Sequence, residues 1–313
     1  MFWFLNFTIK IAIIGTFFFT NCATPHQTSL KKPPSLQQLK PLIFDSTPDV
    51  SLFEKNGPFT YKLLKDFDVR VSKSEVVNTD VYFSNHKSKA PLVIIQHGNL
   101  AHKGVHRNQA RKIASWGIHV MLVNQPNRGR WLKNGIVLAK LTKLLIAWPE
   151  LLSEKFDPEN IIVVGHSFGG SAAAITAAKN QKIKGVVFLD PALVNSKVKA
   201  YIRKIKVPSI LLGADKRIFK SRKRSAFHRL VKGRAVEISV RNATHNDAQS
   251  PNLFSLPQLI GFEHSTSPIR QKRFMSALIC SIISISYTDG TKFAWKAFKP
   301  EIRLGGLIEP KRK

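Results

Sequence analysis

Ile161-Ile162-Val163-Val164-Gly165-His166-Ser167-Phe168-Gly169-Gly170-Ser171-Ala172-Ala173-Ala174-Ile175 is the stretch on which the fold turns. Its first four residues are β-branched and apolar on both faces, the pattern of a strand covered on two sides. The last five include three alanines and start a helix well. Between them Gly165-x-Ser167-x-Gly169 makes a sharp strand-to-helix turn. The two glycines leave room where backbones crowd, and the serine hydroxyl is left standing at the tip. A helix beginning there points its free N–H groups at the space in front of that hydroxyl.

Outward from this turn the same rhythm repeats. Apolar runs occur at Pro91–Ile95, Ile118–Val123, Ile183–Leu189, Val207–Leu212 and Ala235–Val240. Helical periodicity fills 104–116, 131–155, 169–180, 218–230 and 269–283 between and after them, and Pro149 is expected to break the second of these helices. Phe67–Val71 and Thr79–Phe83 alternate like half-buried strands and predict an antiparallel entry to the sheet. Strand, helix, strand in this order specifies an α/β fold, an open, mostly parallel, doubly wound sheet.

With 43% hydrophobic and 22% charged residues, the 313-residue chain is neither disordered nor fibrous, and its length suits one large α/β domain. The 49 Lys and Arg against 19 Asp and Glu give +30. The clusters Lys31-Lys32, Lys197–Lys206, Lys216–Arg224 and Lys311–Lys313 are scattered, with no zinc-finger spacing or basic zipper beside them. Nucleic acid is therefore not the expected partner, and anionic lipid headgroups fit the charge better. Cys22 and Cys280 cannot make a disulfide framework or a four-thiolate metal site. Gly165, Gly169 and Gly170 do not form a dinucleotide fingerprint, no Walker lysine is present, and the pair His102 and His106 lacks a third ligand. No cofactor and no metal are expected.

The termini read differently from the body. Residues 1–21 carry one charge, Lys10, and an apolar run of about ten residues, as in a signal peptide or membrane anchor. Cys22, where that run stops, makes the segment resemble a bacterial lipoprotein signal, although Phe19 and Asn21 depart from the usual residues. That resemblance implies acylation of Cys22, for example with palmitate, and a place in the bacterial cell envelope facing the periplasm. An uncleaved anchor with a fortuitous cysteine is the alternative. Residues 22–58, rich in Pro, Ser and Thr, read as a tether, 59–283 as the folded domain and 284–313 as a basic C-terminal extension. In that extension Asp289-Gly290 is expected to turn between two short strands, and the basic end to face lipid.

The strand, the G-x-S-x-G turn and the alanine-rich helix resemble the α/β-hydrolase superfamily over about residues 65–280. The resemblance implies Ser167 as nucleophile, followed in the chain by an acid and then a histidine. His245, just past the last strand in Arg241-Asn242-Ala243-Thr244-His245, fits the base, with His264 a weaker alternative. Asp215, 48 residues after Ser167 and 30 before His245, is expected as the acid, and Asp190 at the end of the preceding strand is the alternative. The oxyanion donors would be the backbone N–H of Phe168 and that of Asn99 or Leu100, in the loop Gln96-His97-Gly98-Asn99-Leu100. His97 itself is expected to be structural. Gln125–Arg130 resembles the family's rim loop, which makes Arg128 and Trp131 substrate-contact candidates. Pro191–Val207 is too short for a large lid. The implied activity is a serine hydrolase cleaving small, medium or lipid-derived carboxylic esters through an acyl-enzyme. Acyl transfer, peptidase activity or a degenerate membrane-surface binding protein are the alternatives.

Overall fold

The apolar runs form the middle of one sheet. The computed structural model of the chain describes residues 49–85, 88–216, 224–251, 266–288 and 290–312. Its strands are β1 (Tyr61–Ser72), β2 (Glu75–Ser84), β3 (Ala90–Gln96), β4 (His119–Asn124), β5 (Phe156–His166), β6 (Gly185–Leu189), β7 (Ser209–Ala214), β8 (Ala235–Val240) and β9 (Leu307–Arg312). They pair in the order β1-β2-β4-β3-β5-β6-β7-β8-β9. β4, β3, β5, β6, β7 and β8 run parallel, β2 pairs antiparallel with β4 and β1 antiparallel with β2 at one edge, and β9 pairs antiparallel with β8 at the other. This is the open, largely parallel α/β sheet that the alternation specifies.

Alternate residues of each central strand enter opposite cores, which explains why the runs are apolar throughout. Leu92, Ile94, Ile161, Val163, Val186 and Phe188 face one side. They pack on α2 (Trp131–Ala147), α3 (Phe168–Lys179), α4 (Val198–Ile202) and α5 (Ser225–Leu230). Val93, Ile95, Ile162, Val164, Val187 and Leu189 face the other. There they meet α1 (Arg107–Ser115), α6 (Pro268–Tyr287) and α7 (Lys292–Arg303).

One expectation, the break at Pro149, is met, and two differences from the sequence reading have physical causes. The second helix stops at Ala147, because Pro149 disfavours helical backbone at Trp148, and a short 3-10 turn replaces its last residues. The end of the supposed tether folds into a 3-10 turn, Val50–Glu54, capped by the Asp49 carboxylate on the Ser51 N–H at 2.8 Å. That turn buries Val50 and Phe53, whose ring meets Trp116 edge-on at 5.0 Å. The C-terminal residues are not an appendage. Gly290 turns between two helices rather than two strands, α7 buries Phe293, Ala297 and Phe298, and β9 pairs with β8. Between β6 and β7 only α4 and short loops intervene, and among the described residues no lid covers the strand ends. No helix among the described residues is long and apolar enough to cross a membrane.

Candidate active site

β5 ends at His166 and α3 begins at Phe168, so Ser167 alone makes the corner. Its φ of 53° and ψ of −124° are left-handed backbone that costs a non-glycine residue about 1–3 kcal/mol. Three hydrogen bonds hold it there. Its N–H donates to Leu189 O at 3.2 Å, and its carbonyl accepts from the N–H groups of Gly170 and Ala192, each at 2.9 Å. Among the described residues five besides glycine have positive φ, and three of them, Leu100, Ser167 and Asp190, are expected site residues.

The loop after β3 lies against the corner. A Cβ on Gly98 would come within 2.8 Å of Ser167 Cβ, so glycine is needed for this approach. The loop is braced from below. Gln96 Nε2 donates to His97 O at 3.1 Å, Gln125 Nε2 of the rim loop donates to Gln96 Oε1, and His97 Nδ1 donates to Gly98 O at 2.7 Å. Burial lowers His97 to about 4, only partly offset by that bond, so its ring is neutral. Asn99 Oδ1 accepts from Trp131 Nε1 at 3.3 Å, and Leu100 is exposed at the tip. The buried Trp131 ring lies 6.1 Å from that of His97 and 6.2 Å from that of Phe168. These three rings form one aromatic wall beside Ser167. Arg128 and Arg130 are exposed on the loop that leads into Trp131.

His245 opens a 3-10 turn, His245–Ala248, after β8. The turn is clamped by Asp247, which accepts from Thr244 N–H at 2.7 Å, Thr244 Oγ1 at 3.1 Å, Ser267 N–H at 2.8 Å and Arg270 Nε at 2.7 Å. Thr244-x-x-Asp247 is a capping box, a signal legible in the sequence that the reading above did not use. So clamped, His245 directs Nδ1 to Asp190 Oδ2 at 2.6 Å.

The carboxylate at His245 is therefore that of Asp190, not of Asp215. β7 ends at Ala214, and Asp215 leaves the sheet into solvent, its Oδ2 accepting from the Asn242 N–H at 3.3 Å. Asp190 ends β6, the strand paired with β5, and so emerges next to the serine corner. Its left-handed φ of 36° turns it out of the strand direction. Asp190 Oδ1 accepts from Ala214 N–H at 3.1 Å and Arg224 Nη1 at 2.9 Å. Burial by itself raises this carboxyl, but the His245 hydrogen bond and the charges of His245 and Arg224 outweigh it and hold it below the usual carboxylate range.

Two further groups were not identified from the sequence. Arg224 counted as the end of a surface basic cluster, yet it is 6% exposed. His166 is the unspecified residue of the turn motif. Its ring lies 4.5 Å from the His245 ring at 34°, its Nε2 donates to His245 O at 3.2 Å, and its Nδ1 accepts from Gln249 Nε2 at 3.2 Å. Burial, then the charges of His245 and His106, push His166 well below its ordinary value. His106 packs edge-on to it at 5.8 Å and bonds Gln109, which donates to Ala248 O at 3.0 Å. A neutral polar shelf thus supports the histidine turn from behind. His102 caps the 3-10 turn before α1, accepting from Gly104 N–H at 3.1 Å. Among the described residues no cluster of His, Cys, Asp and Glu is arranged to hold a metal. Cys22, His264 and residues 1–48 lie outside the described residues.

Comparison with known proteins bears on the fold. Residues 91–206 match the family model described as alpha/beta hydrolase fold, a span that includes the loop after β3, Ser167 and Asp190. A Mycoplasma pneumoniae protein provisionally named esterase/lipase 3 is 26% identical over 126 residues. That match covers 39% of this chain and 45% of the relative, so the chain spans under half the relative's length.

Proposed function

We propose that the chain is a serine hydrolase of the α/β-hydrolase superfamily, which cleaves carboxylic esters through an acyl-enzyme. One observation carries the reading: the imidazole whose Nδ1 is held by a buried carboxylate at 2.6 Å stacks at 4.5 Å on His166, the residue directly before a serine strained into a strand-to-helix corner. Asp190 fixes the tautomer that leaves Nε2 of His245 free to accept a proton. Ser167 Oγ attacks the acyl carbon as that proton passes to Nε2. The oxyanion forms in front of the Phe168 N–H, which stands at the first helical position and has no acceptor within its own helix. The second donor is the N–H of Asn99 or Leu100, on the loop that Gly98 brings against Ser167. Imidazolium then protonates the leaving alcohol, and water repeats the sequence on the acyl-enzyme.

The aromatic wall of Trp131 and Phe168 suits an apolar acyl or alcohol group, and the short β6–β7 connection suits small and medium esters reaching the site from outside. Arg128 at the rim would favour an anionic ester. The apolar segment before Cys22 supports presentation of the domain at a membrane surface of the bacterial envelope, where lipid-derived esters are at hand.

Covalent labelling with a fluorophosphonate tests the reading. Labelling of the full chain should disappear in Ser167→Ala and His245→Ala, fall steeply in Asp190→Asn and persist in Asp215→Asn. Labelling that survives Ser167→Ala, or a folded wild type that is never labelled, would overturn it. Products formed from a p-nitrophenyl ester with and without an added alcohol or amine separate hydrolysis from acyl transfer.

A further inference from the structure

Asp190 and Glu237 place two carboxylates in the same interior, and one guanidinium stands between them. Arg224 Nη1 donates to Asp190 Oδ1 at 2.9 Å and to Ala214 O at 2.6 Å, Nη2 donates to Ser239 Oγ at 2.9 Å, and Nε donates to Glu237 Oε1 at 3.2 Å. All three charged groups are under 10% exposed. The guanidinium lies flat on the β7 backbone at Gly213, where a Cβ would come within 2.1 Å of Nη1. The glycine that follows Leu211-Leu212 is thus the gap through which the cation reaches the site.

We propose that Arg224 is a positioning residue of the hydrolase, acting through Asp190 on His245, and that Glu237 sets how much of its charge Asp190 receives. This rests on the serine-hydrolase reading. Two buried carboxylates without a cation would not both stay ionised, and one would take up a proton. With Arg224 between them the three groups sum to a single negative charge. On Asp190 that charge is open only towards His245, because Oδ1 is held by Arg224 and Ala214 while Oδ2 meets Nδ1; on Glu237, Oε1 meets Arg224 Nε and Oε2 stays buried without a hydrogen-bond partner. When the imidazole becomes imidazolium in the transition state the array becomes neutral, and no buried charge is left over. A purely structural ion pair would need only Glu237 and Arg224, and would not use a second guanidinium contact to orient Asp190.

The other charged and titratable groups around His245 are His166 on β5, with His106 behind it, and Asp247 on the same turn, already paired with Arg270 of α6. None of them contacts Arg224 in a hydrogen bond or ion pair given by the described residues. Charge changes at Arg224 and Glu237 therefore reach His245 through Asp190.

The test follows the His245 imidazole by NMR across pH in the full chain, alongside the rate of fluorophosphonate labelling. Arg224→Met removes a cation, so the His245 midpoint should rise by about half a unit or more and labelling should slow at least tenfold. Glu237→Gln removes an anion beyond that cation, so the midpoint should fall. Arg224→Lys keeps the charge without the fork, and should restore the midpoint while leaving labelling slow. Arg224→Met combined with Glu237→Gln covers the case in which the single Arg224 change does not fold, and its midpoint should lie between those of the single variants. Midpoints that stay put, or move the same way, in folded variants while wild type is labelled at Ser167 overturn the inference alone. A folded wild type that is never labelled overturns the serine-hydrolase reading and this role with it.

Discussion

Asp190 and Asp215 each end a parallel strand, each precede His245, and differ in one thing that decides between them. Asp190 is buried at 2.6 Å from His245 Nδ1, whereas Asp215 is exposed and bonded to the Asn242 N–H. On the proposed mechanism Asp190→Asn leaves the ring in the wrong tautomer and should lower kcat on the order of 10³–10⁴-fold with KM little changed. Asp215→Asn should stay within about threefold of wild type. Steady-state kinetics on a p-nitrophenyl ester check both, and equal losses would return the acid to an open question. Chain order could not separate the two aspartates, because the choice depends on which strand end lies beside β5. His166 was hidden for a related reason: a histidine at the variable position of the turn motif has a role only once its ring is seen against that of His245.

At the scale of elements, the site depends on how firmly two loops are held. The loop after β3 is kept in place by Gly98 against Ser167 and by the Gln96–Gln125 bond. The His245 turn is kept by Asp247, which gathers donors from its own turn, from Ser267 and from α6. Asp247→Ala removes a buried cap and its charge-assisted bonds, and should lower unfolding free energy by about 2–3 kcal/mol. Hydrogen exchange should quicken first at residues 244–249, and kcat should fall because His245 loses its aim. Urea denaturation and exchange mass spectrometry measure the two effects. Unchanged exchange in the turn would show that the shelf of His166, Gln249 and Gln109 suffices to hold it.

At the scale of the molecule, one sheet carries two cores, and the C-terminal residues belong to one of them. Phe298 of α7 is fully buried among Phe274, Ala294 and the other side chains of that core. Phe298→Ala should cost about 3–5 kcal/mol in urea denaturation. A change under about 1 kcal/mol would mean that residues 284–313 are an extension after all. The interior also sets the acid limit of stability. Burial lowers His97 and His106 from 6.5 to about 4, and the unfolded chain would protonate both well before the folded one does. Each therefore contributes up to about 3 kcal/mol that is fully present above pH 6.5 and is lost as pH falls towards 4. Asp190 adds a loss of the same sign further down, because its depressed pKa contributes stability above the ordinary carboxylate range that disappears only in stronger acid. Urea midpoints measured from pH 8 to pH 4 should decline, and His106→Gln should flatten the decline. A flat profile would place these histidines in contact with water.

The order of the strands from β1 to β8, the position of the serine corner and the place of the histidine turn follow from sequence alone. They rest on local properties: apolar runs, small residues at a tight turn, and a chain leaving a strand. The partner of His245, the burial of Arg224 through Gly213 and the incorporation of α7 and β9 were decided by tertiary structure. Each depends on which residues distant in the chain are adjacent in the sheet. A carboxylate or a guanidinium has no periodic signature of its own, and the charge run Lys216–Arg224 reads as solvated surface until its last member is found between two buried acids.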